Sequence, residues 1–553
     1  MRRRASCVWA PCIGRTAALV MAAGLLAVAG SWPVVAQERP AAPPTAPAAT
    51  DEAARPSSSG EMRGRRGRPG AGADEIGEPR RRRAERLPQP SITHHKLELP
   101  GRTLEFTATA EAIPLMAESG EVTGEIAVIA YTRDGVDAAR RPVTFAMNGG
   151  PGSASAWVHL GLMGPWRLPL DGDAARPSAA PVLVANAETW LDFTDLVFID
   201  PVGTGYSRTV GDEEARKKAA KFYYSVNGDI ESISAAMRIW LARHRRTASP
   251  KLFAGESYAG FRAPKIARKL ATEHGIGLSG VMMISPVIDF GLGRRGRRDP
   301  LSIVTALPSQ AAAAADRKGE VTAADLARFE AYARGELLVD VMKGERDTAA
   351  VERIVRRVTE LTGLDPALVA RLKGRIDRAT FMRELDRAKG LVGSAYDATV
   401  GGIDPYPASA SLSLSHDTFT TALTAPVTSA MLGLYADRLN WRPQRRYLLS
   451  GSLIRQWDWG SKRVANEAAG DLEAILALDP RLRVLVSHGY ADLVTPYFAS
   501  RLVIDQIAAA PSAARVKLSV YGGGHMFYSR AASRQAYRAE VEALVKAVSR
   551  QAD

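Results

Sequence analysis

The residue best suited to chemistry is Ser257, which lies in the segment KLFAGESYAG (residues 251–260). The apolar residues before Gly255 predict a buried strand, and a helix is expected to begin near Tyr258. A serine on the sharp turn between a strand and a helix holds its hydroxyl above the sheet edge, where it can act as a nucleophile. Gly255 provides the small neighbour that such a turn requires, whereas Ala259 stands where glycine is usual. An ordinary surface serine would give the same pattern, so this segment alone leaves the role open.

A nucleophilic serine needs a base and a carboxylate that orients the base. Two downstream segments supply them: RVLVSHGYADLVTP (483–496) contains Asp492, and VKLSVYGGGHMFY (516–528) contains His525. Each residue follows a predicted strand, so both are expected at the same sheet edge as the serine. The chain order serine, acid, histidine is that of α/β-hydrolases. We therefore predict a catalytic triad of Ser257, Asp492 and His525.

Other histidines and carboxylates have weaker contexts. His488 precedes Asp492 and is expected to support the turn rather than to act as the base. Asp289 is a rival acid, but it follows the wrong strand. His159 lies in the loop on the oxyanion side.

A glycine-rich segment, NGGPG (148–152), follows the apolar run VTFAM (143–147). Glycines allow the backbone to approach a substrate closely, so that N–H groups can stabilise developing negative charge. The N–H groups of Gly150 and Tyr258 are the predicted oxyanion-hole donors. A phosphate-binding loop is the alternative, but the chain has neither the Walker lysine nor a G-x-G-x-x-G pattern here.

The elements that must position these residues are short apolar strands with helices between them. An amphipathic helix is predicted from Gly228 to about Arg245. Alternating strands and helices predict an α/β fold, with a mostly parallel sheet and helices on both faces, here of the α/β-hydrolase type. The predicted strands are Val143–Met147, Leu196–Ile199, Leu252–Ala254, Val281–Ile284, Val484–Val486 and Val516–Tyr521.

The strand pattern is interrupted between about Gly291 and Trp457, where charged helical segments predominate. We interpret residues 291–457 as a mainly helical insertion, or cap, over the C-terminal edge of the sheet, where open α/β folds bind ligands. The hydrolase core then consists of residues 91–290 and 458–553. Deleting the cap is expected to alter substrate choice more than triad chemistry.

Residues 1–36 are typical of a secretory signal peptide, with Arg2–Arg4 followed by the apolar run Ala17–Gly30. The mature chain is expected to begin near Gln37, and an uncleaved anchor is the alternative.

Residues 37–90, rich in Pro, Ala, Gly and Arg, predict a disordered linker. This linker is expected to be a solvated tether, with contact to anionic lipid or cell wall as the alternative. The protein is therefore expected in the periplasm or outside the cell, without stable membrane insertion after signal cleavage.

The 553-residue chain has a formal net charge of +14, which raises the question of nucleic-acid binding. The charge is spread along the chain, without the basic and aromatic stripe that stacks bases, so nucleic acid is excluded as a partner. The two cysteines, Cys7 and Cys12, fall in the predicted signal, which excludes cysteine catalysis and thiolate metal sites from the mature chain. No metal or other cofactor is expected. The oligomeric state is left open.

The chain resembles the serine carboxypeptidase family (the S10 peptidases) in a set of motifs. The resemblance implies an α/β-hydrolase that releases the C-terminal amino acid from peptide substrates. It also implies that Asn148 and Glu256 bind the terminal carboxylate of the substrate. The matching motifs are NGGPGS (148–153), DPVGTGYS (200–207), GESYAG (255–260), GYADLVTP (489–496) and GGGHMF (522–527).

Two positions depart from the family pattern. The family usually has Trp where this chain has Ala146, and Glu where it has Leu162. Both positions belong to the carboxylate-recognition network of the family, and its usual disulfides are also absent. These differences leave open an esterase, an acyltransferase or an aminopeptidase built on the same machinery. A catalytically inactive binding protein agrees least with a complete triad.

Overall fold

The computed structural model describes residues 86–549, except for residues 171–175, 294–295, 320, 410–416, 461–465 and 508–512. The predicted signal peptide and residues 37–85 of the predicted linker lie outside the described residues. The last linker residues are described and pack against the core, where Arg86 forms an ion pair with Glu125 and Leu87 is buried. Across the described chain, the helices are too short or too polar to cross a lipid bilayer.

The main sheet has ten strands among the described residues, in the order β1-β2-β3-β7-β4-β9-β10-β13-β14, with β8 beside β3. Strands β7, β4, β9, β10, β13 and β14 run parallel, and β1, β2 and β3 are antiparallel to their neighbours. The strands are β1 (Ser91–Leu99), β2 (Arg102–Met116), β3 (Val122–Arg133), β4 (Val143–Met147), β5 (Trp166–Arg167), β6 (Val184–Ala185), β7 (Asp195–Ile199), β8 (Arg208–Thr209), β9 (Lys251–Glu256), β10 (Gly280–Ile284), β11 (Leu391–Gly393), β12 (Gly401–Ile403), β13 (Arg483–Gly489) and β14 (Val516–Tyr521).

Helices cover both faces of this sheet. Successive strand residues point to opposite sides, so a continuously apolar strand presents side chains that must be buried on both faces. In β9, Leu252 and Ala254 belong to one buried cluster and Phe253 belongs to the other. The described α-helices are α1 (Ala156–Val158), α2 (Glu213–Tyr223), α3 (Val226–Arg243), α4 (Tyr258–Glu273), α5 (Pro300–Asp316), α6 (Ala323–Tyr332), α7 (Leu338–Lys343), α8 (Thr348–Thr362), α9 (Pro366–Arg371), α10 (Arg378–Glu384), α11 (Thr420–Gly433), α12 (Ala469–Leu478), α13 (Tyr497–Ile504) and α14 (Ala531–Ser549).

The predicted fold class is confirmed: this is an α/β-hydrolase fold with a mostly parallel sheet and helices on both faces. Helices α3, α4 and α12 contribute to one buried cluster, and α14 contributes to the other. The sequence did not predict the antiparallel strands β1–β3. In β1 and β2, buried residues alternate with more exposed ones, so these two strands lack the continuous apolar runs of the parallel strands. Strand β3 was also not predicted, although its residues Gly124–Tyr131 are continuously buried.

Residues 291–457 contain the helices α5 to α11 and the hairpin β11–β12. They enter the chain between β10 and β13, which are neighbours in the sheet. Ile303, Phe329 and Ile354 from this insertion share a buried cluster with Tyr490 and Phe498 of the core. The insertion therefore packs directly on the loop and helix that follow β13.

Candidate active site

Ser257 occupies a strained turn between β9 and α4, with φ +62° and ψ −121°. A non-glycine residue with positive φ is costly and persists only where the surrounding structure fixes it. The turn is crowded on both sides: a Cβ atom on Gly255 would lie 2.3 Å from the carbonyl oxygen of Ala259, and one on Gly260 would lie 2.4 Å from Pro286 Cβ. Ala259 itself fits into the buried core beneath the helix, so alanine is tolerated where glycine is usual.

Asp492 and His525 form a hydrogen-bonded pair at the ends of β13 and β14. His525 Nδ1 lies 2.7 Å from Asp492 Oδ2. The other carboxylate oxygen accepts N–H groups of Val494 at 2.8 Å and Thr495 at 3.0 Å. Burial raises the pKa of Asp492, but the nearby His525 and the hydrogen bonds outweigh burial and leave this pKa below its ordinary value. A charged carboxylate therefore orients the imidazole through Nδ1.

The end of β10 ties the serine turn to the loop that carries His525. Ser257 donates its backbone N–H to Ile284 at 2.8 Å. The next residue, Ser285, donates its hydroxyl to the backbone oxygen of His525 at 2.7 Å and its N–H to Ser487 at 2.6 Å. The structure thus brings all three predicted triad residues to the carboxyl edge of adjacent parallel strands.

The NGGPG segment lies against the serine turn. A Cβ atom on Gly149 would lie 2.4 Å from Tyr258 N and 2.8 Å from the carbonyl oxygen of Glu256, so only glycine allows this approach. Gly150 has φ +103°, a conformation that favours glycine. As the first residue of α4, Tyr258 has an N–H group without a partner inside the helix. The glycine segment therefore lies beside Tyr258, and the N–H groups of Gly150 and Tyr258 remain the predicted oxyanion donors.

Glu256 and Asn148 are buried beside the nucleophile and contact each other. Asn148 Nδ2 donates to Glu256 Oε1 at 2.9 Å, and Asn148 Oδ1 accepts the N–H group of Val158 at 3.0 Å. Burial raises the pKa of Glu256 from 4.5 to about 7, although His525 and hydrogen bonds oppose the shift. The site therefore holds a carboxyl group that is protonated in weakly acidic solution and can donate to an anion.

Tyr528 is a further member of this group that the sequence reasoning missed. Its hydroxyl donates to Glu256 Oε2 at 2.6 Å. A Cβ atom on Gly161 would lie 2.8 Å from the Tyr528 ring, so the ring fills the space beside that glycine. Ala146 and Leu162, the two positions that depart from the family pattern, are buried and apolar. The only hint of Tyr528 in the sequence is its place three residues after His525.

A buried ion pair between α3 and α4 contacts the NGGPG segment. Arg262 on α4 is fully buried and binds both carboxylate oxygens of Asp229 on α3, at 2.6 and 3.1 Å. The same guanidinium donates to the backbone oxygen of Asn148 at 3.0 Å and lies 4.6 Å from the centre of the Tyr258 ring. It joins both helices to the NGGPG segment and to Tyr258, the residue after the serine, and no local pattern predicted it.

The rival candidates have structural partners that are not members of the triad. His488 Nε2 lies 2.9 Å from the Ser500 hydroxyl, and burial lowers the pKa of this histidine to about 4. His159 Nε2 lies 2.9 Å from the Tyr131 hydroxyl. Asp289 accepts the N–H group of Gly291 at 2.6 Å. These contacts account for each residue without a catalytic role.

A cavity of about 390 Å³ lies beside the acid loop. Its walls come from the loop Pro286–Asp289, from α5, from residues Arg375–Arg378 and from Thr495. The cavity is large enough for an amino-acid side chain, and its lining carries both acidic and basic groups.

Comparison with known proteins agrees with this geometry. The model of the serine carboxypeptidase family matches residues 130–301, a segment that contains the NGGPG loop and Ser257 but neither Asp492 nor His525. A pheromone-processing carboxypeptidase of Metarhizium robertsii is 31% identical over 133 residues, which is 24% of this chain and 19% of that protein. Its counterpart in Saccharomyces cerevisiae is 31% identical over 136 residues, or 24% of this chain and 17% of that protein. The match thus spans less than a fifth of the length of these curated relatives.

Solved structures with distant similarity include a proline iminopeptidase of Mycobacterium smegmatis, with 14% identity and a TM-score of 0.35 over 80% of this chain and 100% of that chain. A carboxyl esterase of Bacillus coagulans has 13% identity and a TM-score of 0.30, over 80% of this chain and 99% of that chain. At these scores the matches do not bear on activity.

Proposed function

We propose that this relative of the serine carboxypeptidase family is an exported hydrolase that releases C-terminal residues from peptides through an acyl-enzyme on Ser257. The observation that carries the proposal is the buried pair of Glu256 and Asn148 directly beside the nucleophile. An esterase without carboxylate recognition has no need for an acidic group of raised pKa at this position.

In the proposed reaction, His525 Nε2 accepts the hydroxyl proton of Ser257 while Oγ attacks the last peptide carbonyl. The N–H groups of Gly150 and Tyr258 stabilise the resulting oxyanion. The C–N bond then breaks, and the protonated histidine gives its proton to the departing amino group. Water, deprotonated by the same histidine, attacks the acyl-enzyme and restores the serine.

Recognition of the free C-terminus is assigned to Glu256, Asn148 and Tyr528. Two ionised carboxylates in contact would repel each other, so one proton must be shared between Glu256 and the substrate. A pKa of about 7 for Glu256 makes this proton available in weakly acidic solution. Asn148 supplies an amide donor beside the shared proton, and Tyr528 holds the second oxygen of Glu256.

The decisive experiment compares matched peptides that end in a free carboxylate or in an amide, with products read by mass spectrometry. We expect stepwise loss of single C-terminal residues from the free acid and much slower cleavage of the amide. Ser257→Ala serves as the inactive control. Equal cleavage of both peptides, or cleavage of esters alone, would favour the esterase alternative, which the apolar residues at Ala146 and Leu162 make the principal competitor.

Export is part of the proposal and is supported by the signal-like residues 1–36. Expression of the full chain in a Gram-negative host should give a periplasmic or secreted protein whose first residue lies near Gln37. An intact N-terminus in the cytoplasmic fraction would contradict export without affecting the assignment of the triad.

A further inference from the structure

A short segment of the insertion, Ser394–Thr399, lies across the loops that carry the acid and the base; we call it the clasp. It forms two backbone hydrogen bonds on either side of Asp492. Leu493 donates its N–H to Ala395 at 3.0 Å, and Ala398 donates its N–H to Ala491 at 3.0 Å. The acid loop is therefore held from outside the core.

The clasp also holds the loop before the catalytic histidine. His525 donates its backbone N–H to the carbonyl oxygen of Tyr396 at 2.5 Å. The preceding residue, Gly524, donates its N–H to Asp397 Oδ2 at 3.0 Å. A Cβ atom on Gly524 would lie 2.0 Å from the Tyr396 oxygen and 2.4 Å from Asp397 Cα, so the third glycine of GGGHMF is required by the clasp.

The side chain of Tyr396 adds a direct contact with the imidazole. Its ring lies nearly perpendicular to that of His525, with the ring centres 5.3 Å apart and the planes at 84°. A ring packed at this distance limits rotation of the histidine ring toward the insertion.

The clasp is itself fixed by hydrogen bonds within the insertion. Asp417 accepts the Ser394 hydroxyl at 2.9 Å and the N–H group of Ala395 at 2.8 Å. Asp397 Oδ1 accepts the N–H group of Thr399 at 3.0 Å and its hydroxyl at 2.6 Å, which aims Oδ2 at the histidine loop. The contact with the catalytic loop is thus made by an immobilised, buried carboxylate.

We propose that Asp397 is a positioning residue for His525, and that the insertion thereby completes the catalytic triad rather than only shaping the substrate site. Buried backbone N–H groups need partners, and those of residues 524 and 525 find theirs in Asp397 and Tyr396. This role rests on the proposed serine-hydrolase chemistry. It also changes the expectation for deletion of residues 291–457, which should impair the triad itself.

The test uses the full-length protein and a fluorophosphonate probe that reports attack by Ser257 without needing the carboxylate site. The labelling rate, kcat and KM for a blocked ester, and the melting temperature are measured for Asp397→Ala and Asp397→Asn. Asp404→Asn is the matched control, because Asp404 is buried in the same insertion and pairs with Arg383 at 3.0 Å away from the catalytic loops.

We expect Asp397→Ala to lower the labelling rate and kcat by about 10- to 100-fold with little change in KM, since a displacement of about 1 Å can cost about 100-fold in rate. Asp397→Asn keeps an oxygen that can accept from Gly524 and should recover part of this loss. Asp404→Asn should lower the melting temperature but not the labelling rate.

The proposal would be overturned if folded Asp397→Ala were labelled as fast as the parent protein. It would also be overturned if Asp404→Asn lost as much of its labelling rate as Asp397→Ala. If Asp397→Ala does not fold, the result for Asp397→Asn decides the question. An unchanged labelling rate in Asp397→Asn would then overturn the proposal. Failure of the carboxypeptidase assignment gives a different result: the parent protein is labelled normally but does not distinguish free from amidated peptides.

Discussion

Replacement of Glu256 by glutamine tests how the carboxyl beside the nucleophile controls substrate recognition. Burial raises the pKa of Glu256 to about 7, against the opposing effects of His525 and of hydrogen bonds from Tyr528 and Asn148. With this pKa, about 90% of the carboxyl is protonated at pH 6 and about 10% at pH 8. The form that can donate to a substrate carboxylate therefore decreases about tenfold over this interval.

The expected result is a tenfold change in relative activity. For matched peptides, kcat/KM of the free acid divided by kcat/KM of the amide should decrease about tenfold from pH 6 to pH 8. His525 must be neutral to act on either peptide, so its titration cancels in the ratio. In Glu256→Gln the ratio should be independent of pH, because an amide donates at every pH.

The assay follows cleavage of both peptides by mass spectrometry from pH 5 to pH 9 in a buffer of constant ionic strength. Labelling of Ser257 at each pH provides a control for loss of folded enzyme. A ratio that does not change with pH in the parent protein would refute carboxylate recognition by Glu256. A glutamine variant that keeps the descending limb would assign that limb to another group.

Four further outcomes are expected. Ser257→Ala should lower kcat by about 10⁶-fold and abolish phosphonate labelling while the fold is retained; a loss of only a few-fold would rule out the triad. Tyr528→Phe removes a hydrogen bond that lowers the pKa of Glu256, so the descending limb for free peptides should move to higher pH; coincident limbs would contradict this role. Folding raises the pKa of Glu256, so the stability that this carboxyl contributes is complete below about pH 4.5 and is lost as the pH rises through about 7. In urea unfolding at pH 8, Glu256→Gln should therefore gain about 3 kcal/mol in free energy of unfolding relative to the parent protein. An equal difference between the two proteins at pH 5 and pH 8 would refute this expectation. Activity should survive EDTA, since the triad needs no metal; inactivation that Zn²⁺ reverses would be decisive against the mechanism.

Much of the candidate site could be predicted because its residues lie in short segments with recognisable local patterns. The strand before Ser257, the small residues around it and the chain order of Asp492 and His525 each leave a local pattern in the sequence. Parallel strands present their carboxyl ends at one sheet edge, so the order of the segments was enough to predict their meeting place. The continuous apolar runs of the parallel strands likewise predicted the fold class. The alternating strands β1 and β2 were not predicted, and neither was β3, which is continuously buried from Gly124 to Tyr131.

The sequence by itself therefore determined the type of sheet, and it predicted the candidate nucleophile, acid, base and oxyanion segment that this sheet positions. Only the tertiary structure decided what surrounds them. Tyr528 lies 272 residues from its partner Glu256, and Asp397 lies 127 residues from Gly524. No periodicity connects residues at such separations, because their contact depends on how independent loops pack. The raised pKa of Glu256 likewise could not be predicted from the sequence, since burial is a property of the whole fold and not of the residue.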